Sequence, residues 1–571
     1  MTTPVPRHTP PSYRAAGWWR DRTILDDLRD GARRHPDKPA VVCYHVDGSP
    51  TETVTYAELL AHTGRFAAAL RGLGIGAGDV VTLQLPNSWQ FVALCLATFR
   101  LGAVVNPVIP IMRRREVAHM VALTGSPVYV APTRLRDFSY ADLAAEVARA
   151  VPTLRHRVLL DDPSTPAAGG DDPAVVDFAD AFLRADLPTE IDHPEALPDD
   201  LAQIMFTSGT TGEPKGVMHT HNTLHALVRT ESEALGLTGD DVVAMGSPLT
   251  HQAGFAYCFL MPLTLGATAV QLDAWQPDLM LRVIEERRVT FSMGAPTFLV
   301  DLIDAQRRAP RDLSALRSFA CGSAPIAPVV AERAADVLGT RVYALWGMTE
   351  NGTVTITRPD DPPDLATRSD GSPPPWMEVR IVDDAGVPVP AGRTGRLLVR
   401  GANQCLGYYR RPEVYASCVD ADGWFDTGDL AHDDGHGGIR IAGRVKDVIS
   451  RGGEKIPVVE VEAALLRHPA VRDVALIGYP DERLGERACA VLVADVPLTL
   501  ADVRAHLDAL DMARQYWPER IELVDALPRT PSGKVQKFVL TGRYAAGPPV
   551  VPPTADDTAD ATAAAGPAVA A

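Results

Sequence analysis

Between Leu25 and about Tyr343 the sequence alternates short apolar β-type runs with helical ones. That alternation restricts the fold more than any other feature. AVVCYHV (40–46) and VVTLQLP (80–86) read as strands. TYAELLAHTGRFAAALRGLG (55–74) reads as a helix. Thr55 is its capping residue, Glu58 three positions on completes a capping box, and glycine closes it. A helix from about Trp89 to Leu101 and the run AVVNPVIP follow, and a second alternating stretch covers Gln203 to about Tyr343. Strands separated by helices pair in parallel through crossovers, so the expected fold is α/β, with parallel-rich sheets covered by helices. From about Val379 short strands take over (EVRIVD, GRLLVRG, GIRIAGRVKDVIS), which predicts a β-rich subdomain. After Lys446 comes a mixed α+β unit of about a hundred residues, large enough for a small domain. It has a helix at Val459–Arg467, the strands VALIGYP and CAVLVA, and a helix near Leu500–Leu510. The expected division is a loose N-terminus (1–17), a large domain (18–445), a small C-terminal domain (446–545) and an Ala/Pro/Thr-rich tail (546–571) too poor in apolar residues to fold.

The 571 residues are 46% hydrophobic and 22% charged, a globular balance. The net charge of −17 argues against nucleic acid and anionic lipid as partners. Any anionic ligand needs its own local positive site. The seven cysteines are odd in number, scattered and without a CxxC pair, which fits free thiols in a reducing compartment. The N-terminus lacks the apolar segment of a secretory signal, and FVALCLATF (91–99) falls well short of the ~18 residues that span a bilayer. The expectation is a cytoplasmic protein without integral membrane association.

One polar run stands out: FTSGTTGEPKGVMHTH (206–221). It is read as a loop leaving a buried strand, LAQIMF (201–206), and entering a helix from His221 with Asn222 or Thr223 near its cap. Ligands bind at this position in open α/β sheets. Thr207, Ser208, Thr210 and Thr211 bring hydroxyls. Gly209, Gly212 and Gly216 permit close backbone approach, so successive N–H groups can cradle an anion. Lys215 adds a positive charge. A Walker A loop read from Gly209 would need glycine at 214, where Pro214 stands, so an ordinary P-loop NTPase is disfavoured. Composition alone would equally suit a solvated linker; the strand and helix on either side favour the anion cradle.

TSGTTGEPKG resembles the phosphate-loop signature of the adenylate-forming enzymes, which include acyl-CoA synthetases, adenylation domains and luciferases. Four further motifs of that family follow in its order: WGMTEN (346–351), GWFDTGDL (423–430), GRVKDVISRGGEKI (443–456) and LPRTPSGKVQK (527–537). The likeness spans roughly Trp18 to Arg543. MTENG, RGGEKIPVVEVE and the segment ending in Lys537 are most similar to short/medium-chain and cyclohexanecarboxylate-type acyl-CoA ligases.

The resemblance implies a small mobile C-terminal lid over a large N-terminal domain, and two half-reactions. A carboxylate attacks the α-phosphate of ATP to give an acyl-adenylate and pyrophosphate. A thiol, usually coenzyme A, then displaces AMP. It implies Lys534, Glu350 and Thr207 as catalytic residues, with Glu350 and Thr207 on Mg²⁺. It also implies nucleotide contacts from Ser208, Gly209, Thr210, Thr211, Gly212, Lys215, Gly322, Ser323, Ala324, Trp346, Gly347, Met348, Thr349, Asp429, Arg444 and Lys455. Lys446 matches the hinge, and Arg451, Gly452 and Gly453 the pantetheine tunnel. These roles have physical sense. A carboxylate with phosphate oxygens and water suits Mg²⁺, Asp429 can accept both ribose hydroxyls, and a compact ammonium at 534 can bridge carboxylate and α-phosphate.

The family's acyl pocket corresponds here to SPLTHQAGF, GAPTF, CGSAPI and ALWGMT, which offer His251, Phe255 and Thr297. These segments present no cation for a second carboxylate and no aspartate for an amino group, so an apolar monocarboxylic acid is expected: medium-chain, alicyclic or aromatic. His251 reads equally as a core histidine. The acceptor stays open among coenzyme A, a carrier-protein thiol and an amine. Activation of nitrite to diazotise an aromatic amine is a further alternative. The oligomeric state is open too, a homodimer being one option.

Overall fold

The computed structural model describes residues 11–160, 172–207, 214–451, 454–481, 483–530 and 533–544, without the side chains of Pro11, Lys446, Glu454 and Lys455. The Ala/Pro/Thr-rich tail therefore lies outside the described residues. Contacts divide the chain into two units: residues 1–442 with 531–534, and residues 443–530 with 535–571.

In the first unit, one eight-stranded sheet runs in the order Gly352–Ile356, Arg341–Met348, Ser318–Cys321, Phe291–Gly294, Val242–Met245, Thr268–Leu272, Pro39–Tyr44, Glu52–Thr55. Its six inner strands pair in parallel and each edge strand is antiparallel. A second eight-stranded sheet, Gly407–Tyr408, Lys215–Thr220, Leu201–Thr207, Val104–Pro107, Val80–Leu83, Val128–Pro132, His156–Leu160, Val175–Asp177, is likewise parallel apart from the first two pairings. The parallel-rich α/β expectation holds. The β-rich subdomain is a four-stranded sheet of Met377–Val382, Gly395–Gly401, Phe425–Asp433 and Ile439–Arg444.

The helix Tyr56–Gly72 begins as the sequence requires. Thr55 Oγ1 accepts from Glu58 N (3.2 Å), and Glu58 Oε2 accepts from Thr55 N (2.8 Å). It packs on Trp89–Arg100, where every residue from Phe91 to Phe99 is buried. Large side chains there, including Phe91 and Phe99, each gain about 2 kcal/mol from burial. The apolar run is thus a core helix. No described helix is long and apolar enough to cross a membrane. All seven cysteines are free, and six are buried.

The second unit builds a five-stranded sheet around the long pair Val471–Asp481 and Gly485–Ala494. The helices Val458–Leu465 and Leu500–Ala509 belong to it, and Val461, Leu465, Val503 and Leu507 contribute to its own core.

Candidate functional site

The polar run at 206–221 folds differently from the strand-loop-helix expected of it. Lys215–Thr220 is a second strand, antiparallel to Leu201–Thr207, with Thr207 opposite Lys215 and Phe206 opposite Gly216. The phosphate-loop residues thus join the two strands of a hairpin. Ser208, Gly209, Thr210, Thr211 and Gly212 lie outside the described residues. The helix His221–Leu235 starts after the hairpin and is capped by Thr220, whose Oγ1 accepts from Thr223 N (3.1 Å), and not by Asn222 or Thr223. Val217 to Thr220 are all buried, so no period-two alternation marked the strand.

Beside this hairpin stands the tight turn between Arg341–Met348 and Gly352–Ile356, which carries Thr349 and Glu350. A Cβ at Gly347 would lie 2.2 Å from Gly352 O, so the two strands close only with glycine there. Glu350 is 7% exposed. Its Oε1 accepts from Tyr408 OH (2.8 Å), and its backbone carbonyl accepts from Cys405 N (2.8 Å). Lys215 Nζ sits 4.9 Å from the centre of the Tyr408 ring. Tyr408 also pairs with Val217 of the hairpin. Burial, followed by the Glu350 charge, pushes the Tyr408 phenol far up, so it stays a donor. Tyr408 thereby links Lys215 of the hairpin to the buried Glu350 carboxylate. No sequence motif announced it: it lies 58 positions from Glu350.

Asp429 is 4% exposed, and its Oδ2 accepts from Trp346 Nε1 (3.0 Å) across 83 positions of sequence. The turn before it is held by Thr427, whose hydroxyl donates to Leu397 O (2.8 Å) and accepts from Asp429 N (3.0 Å). Trp346 is itself buried in the cluster containing Trp376, Leu397 and Phe425. The WGMTEN and TGDL motifs therefore meet. Met348 and Thr349 are partly exposed, and Gly347 is exposed.

The acyl-side candidates are more dispersed. His251 caps the short helix Gln252–Gly254, with Nδ1 accepting from Ala253 N (3.3 Å). Its pKa is pushed down to about 4, first by burial and then by the Lys534 ammonium, so the imidazole is neutral at pH 7. Phe255 is wholly buried in the main core, edge-on to Phe91 and Phe259. Thr297 lies in the first turn of Pro296–Arg308, partly buried. Gly322 is buried, whereas Ser323 and Ala324 are exposed. Ser323 adopts φ +72°, a left-handed conformation that costs a residue with a Cβ about 1 kcal/mol or more.

In the second unit Arg451 is bonded to Glu519, whose other oxygen accepts from Ala488 N (2.9 Å). Arg444, at the end of the strand Ile439–Arg444 of the β-rich subdomain, is partly exposed. Gly452, Gly453 and the side chains of Lys446 and Lys455 lie outside the described residues. Lys534 is partly exposed and groups by contacts with the first unit.

No cluster of three or more His, Cys, Asp or Glu that could hold a metal occurs among the described residues. A lone buried carboxylate such as Glu350 suits Mg²⁺, which typically takes few protein oxygens and completes its shell with phosphate and water. It does not fit a closed structural metal centre.

Residues 28–409 match the AMP-binding enzyme family, and residues 460–534 match the AMP-binding enzyme C-terminal domain. The chain is 36% identical over 532 residues to the medium-chain fatty-acid–CoA ligase of Escherichia coli, covering 93% of this chain and 92% of that one. It is 36% identical over 551 residues to the salicyl-AMP ligase/salicyl-S-ArCP synthetase of Mycobacterium tuberculosis, covering 95% of each. An anthranilate CoA ligase crystallised with anthranoyl-AMP superposes with a TM-score of 0.82 at 26% identity, covering 92% of this chain and 97% of that one. With two family domains in order and full-length relatives on this fold, the chain belongs to the AMP-binding enzymes, the adenylate-forming superfamily, close to the medium-chain acyl-CoA ligases.

Proposed function

We propose that the protein is an ATP-dependent acid–CoA ligase acting on an apolar monocarboxylic acid: medium-chain, alicyclic or aromatic. In the first half-reaction a carboxylate oxygen attacks the α-phosphorus of ATP. The bond to the bridging oxygen breaks, and pyrophosphate leaves with the electron pair. In the second, the thiolate of coenzyme A attacks the acyl carbon and AMP departs. The observation that carries this reading is the linkage of Lys215, Tyr408 and Glu350 beside the phosphate hairpin. It brings a cation and a buried carboxylate together beside the strands that flank the loop implied for the triphosphate, which supports charge stabilisation on the leaving group there.

Glu350 and Thr207 would hold Mg²⁺, which supplies neutralisation of phosphate charge. Asp429, kept in place by Trp346 and Thr427, accepts from the ribose hydroxyls. Lys534 supplies the cation that bridges the acid and the α-phosphate. Neutral His251 stands on the acid side and does not draw the carboxylate away as a fixed cation would. Lys446 is the proposed hinge, and Arg451, Gly452 and Gly453 serve the thioester step.

A panel of carboxylic acids tests the reading, with ATP and Mg²⁺, scored for AMP and for thioester. The expected result is AMP formation that needs both acid and coenzyme A, with an acyl-CoA product. AMP formation that needs a carrier-protein thiol instead would favour the second reading, carrier loading. That reading is supported by the salicyl-S-ArCP synthetase relative, which is as similar in sequence as the fatty-acid ligase.

A further inference from the structure

His219 lies on the second strand of the phosphate hairpin, opposite Gln203, and is wholly buried. Its Nε2 lies 2.8 Å from the backbone carbonyl of Thr349, 130 positions away, and its Nδ1 lies 3.0 Å from Thr223 Oγ1. A carbonyl can only accept, so Nε2 carries the proton. In the neutral ring, Nδ1 then accepts from the Thr223 hydroxyl. Thr223 Oγ1 also accepts from Thr220 N (2.9 Å), inside the cap of the helix His221–Leu235. One imidazole therefore ties together three parts: the phosphate hairpin, the helix behind it, and the turn that carries Thr349 and Glu350.

We propose that His219 is a positioning residue for adenylation. It fixes the peptide between Thr349 and Glu350 relative to the phosphate hairpin. The inference rests on the adenylation reading above and adds a residue that none of the five motifs includes. The physical ground is peptide planarity. Holding the Thr349 carbonyl toward His219 turns the Glu350 N–H to the opposite side and fixes the peptide plane that ends at the Glu350 Cα. Tyr408 then fixes the far end of the Glu350 side chain. The peptide before Glu350 is thus held by His219 and the Glu350 carboxylate by Tyr408, and the hairpin strand that bears Lys215 carries His219 and pairs with Tyr408. Burial keeps the ring neutral, with its pKa pushed down to about 4 against the opposing effect of the Thr349 bond. The Thr349 carbonyl keeps the proton of the neutral ring on Nε2.

Three variants test this. His219→Leu keeps apolar volume and removes the donor. His219→Asn keeps a polar group and loses reach. His219→Gln places an amide N–H where Nε2–H stood. A slightly misplaced turn weakens the transition state, so kcat for acid-dependent pyrophosphate release should fall about tenfold or more in the Leu and Asn variants, with KM for the acid within about twofold. The Gln variant should recover to within about threefold of the parent. A merely structural role would lower Tm in all three and leave Gln no better than Asn. That result overturns the proposal, as would a Leu variant with unchanged kcat. If the Leu variant does not fold, the Asn–Gln comparison decides. Imidazole ¹⁵N shifts of the parent report the tautomer without any substrate. A ring protonated on Nδ1 alone would also overturn the proposal, even with the parent fully active. A parent that releases no pyrophosphate with any acid would instead defeat the underlying reading.

Discussion

Glu231 is wholly buried, with Thr353 Oγ1 donating to Oε1 (2.6 Å) and Oε2 without a hydrogen-bond partner among the described residues. Tyr257, whose hydroxyl accepts from Thr353 N (2.7 Å), is the nearby titratable neighbour. Burial pushes the Glu231 pKa up to about 8 from 4.5, against the Thr353 bond, which lowers it. Between those values the folded chain keeps a proton that the unfolded chain has lost. Stability therefore falls as pH rises through that window, by up to about 1.4 kcal/mol per pH unit, and levels off above it. Glu231→Gln should abolish that slope, measured by urea unfolding at about pH 6 and about pH 8. The acid side has the opposite sign. His219, His221 and His251 are pushed down to about 4 from 6.5, mainly by burial, so the stability they allow is lost as pH falls from 6.5 toward 4. At Ser323 the positive φ predicts that Ser323→Gly raises stability by about 1 kcal/mol, read as a shift in urea midpoint. Tyr408→Phe removes the bond to Glu350 and should raise the Mg·ATP requirement about tenfold, from titrations of initial rate.

The turn carrying Thr349 and Glu350 depends on close approach of its own two strands. Gly347→Ala would press a methyl group against the Gly352 carbonyl. The Arg341–Met348/Gly352–Ile356 pair should then open, with a loss of about 2 kcal/mol or more in unfolding free energy and of nearly all pyrophosphate release. The elements differ in how well their sequences announced them. Tyr56–Gly72 was legible because its cap, its box partner and its closing glycine are local chemistry. The second strand of the hairpin was not. Val217 to Thr220 are buried, so they show no alternation, and the partner on the strand's other edge, Gly407–Tyr408, lies far away in sequence. The helix starts at His221 as expected, but its cap is Thr220 rather than Asn222 or Thr223: once 215–220 is a strand, Thr220 is the last extended residue, and its hydroxyl reaches Thr223 N. Asp429 and Glu350 could be picked out from motifs. Tyr408 and His219, which hold the surroundings of Glu350, could not, because their partners are fixed by tertiary packing alone.

Over the whole chain, two family domains succeed one another, and five motifs stand in one order. Composition and charge narrowed the class of partner but carried no chemistry, and the acid and its acceptor are not written in any motif. If Lys534 serves the first half-reaction only, Lys534→Ala should cost about 3 kcal/mol or more in adenylation. It should leave thioester formation from a supplied acyl-adenylate near the parent rate. Equal losses in both half-reactions, measured separately, would remove that role. The most direct measurement is exchange of radiolabelled pyrophosphate into ATP, run with a panel of carboxylic acids and no coenzyme A. The account predicts exchange that appears only with an acid of the accepted class and is lost in Glu350→Gln. Exchange that ignores the acid, or ATP consumed to ADP with none, would contradict it.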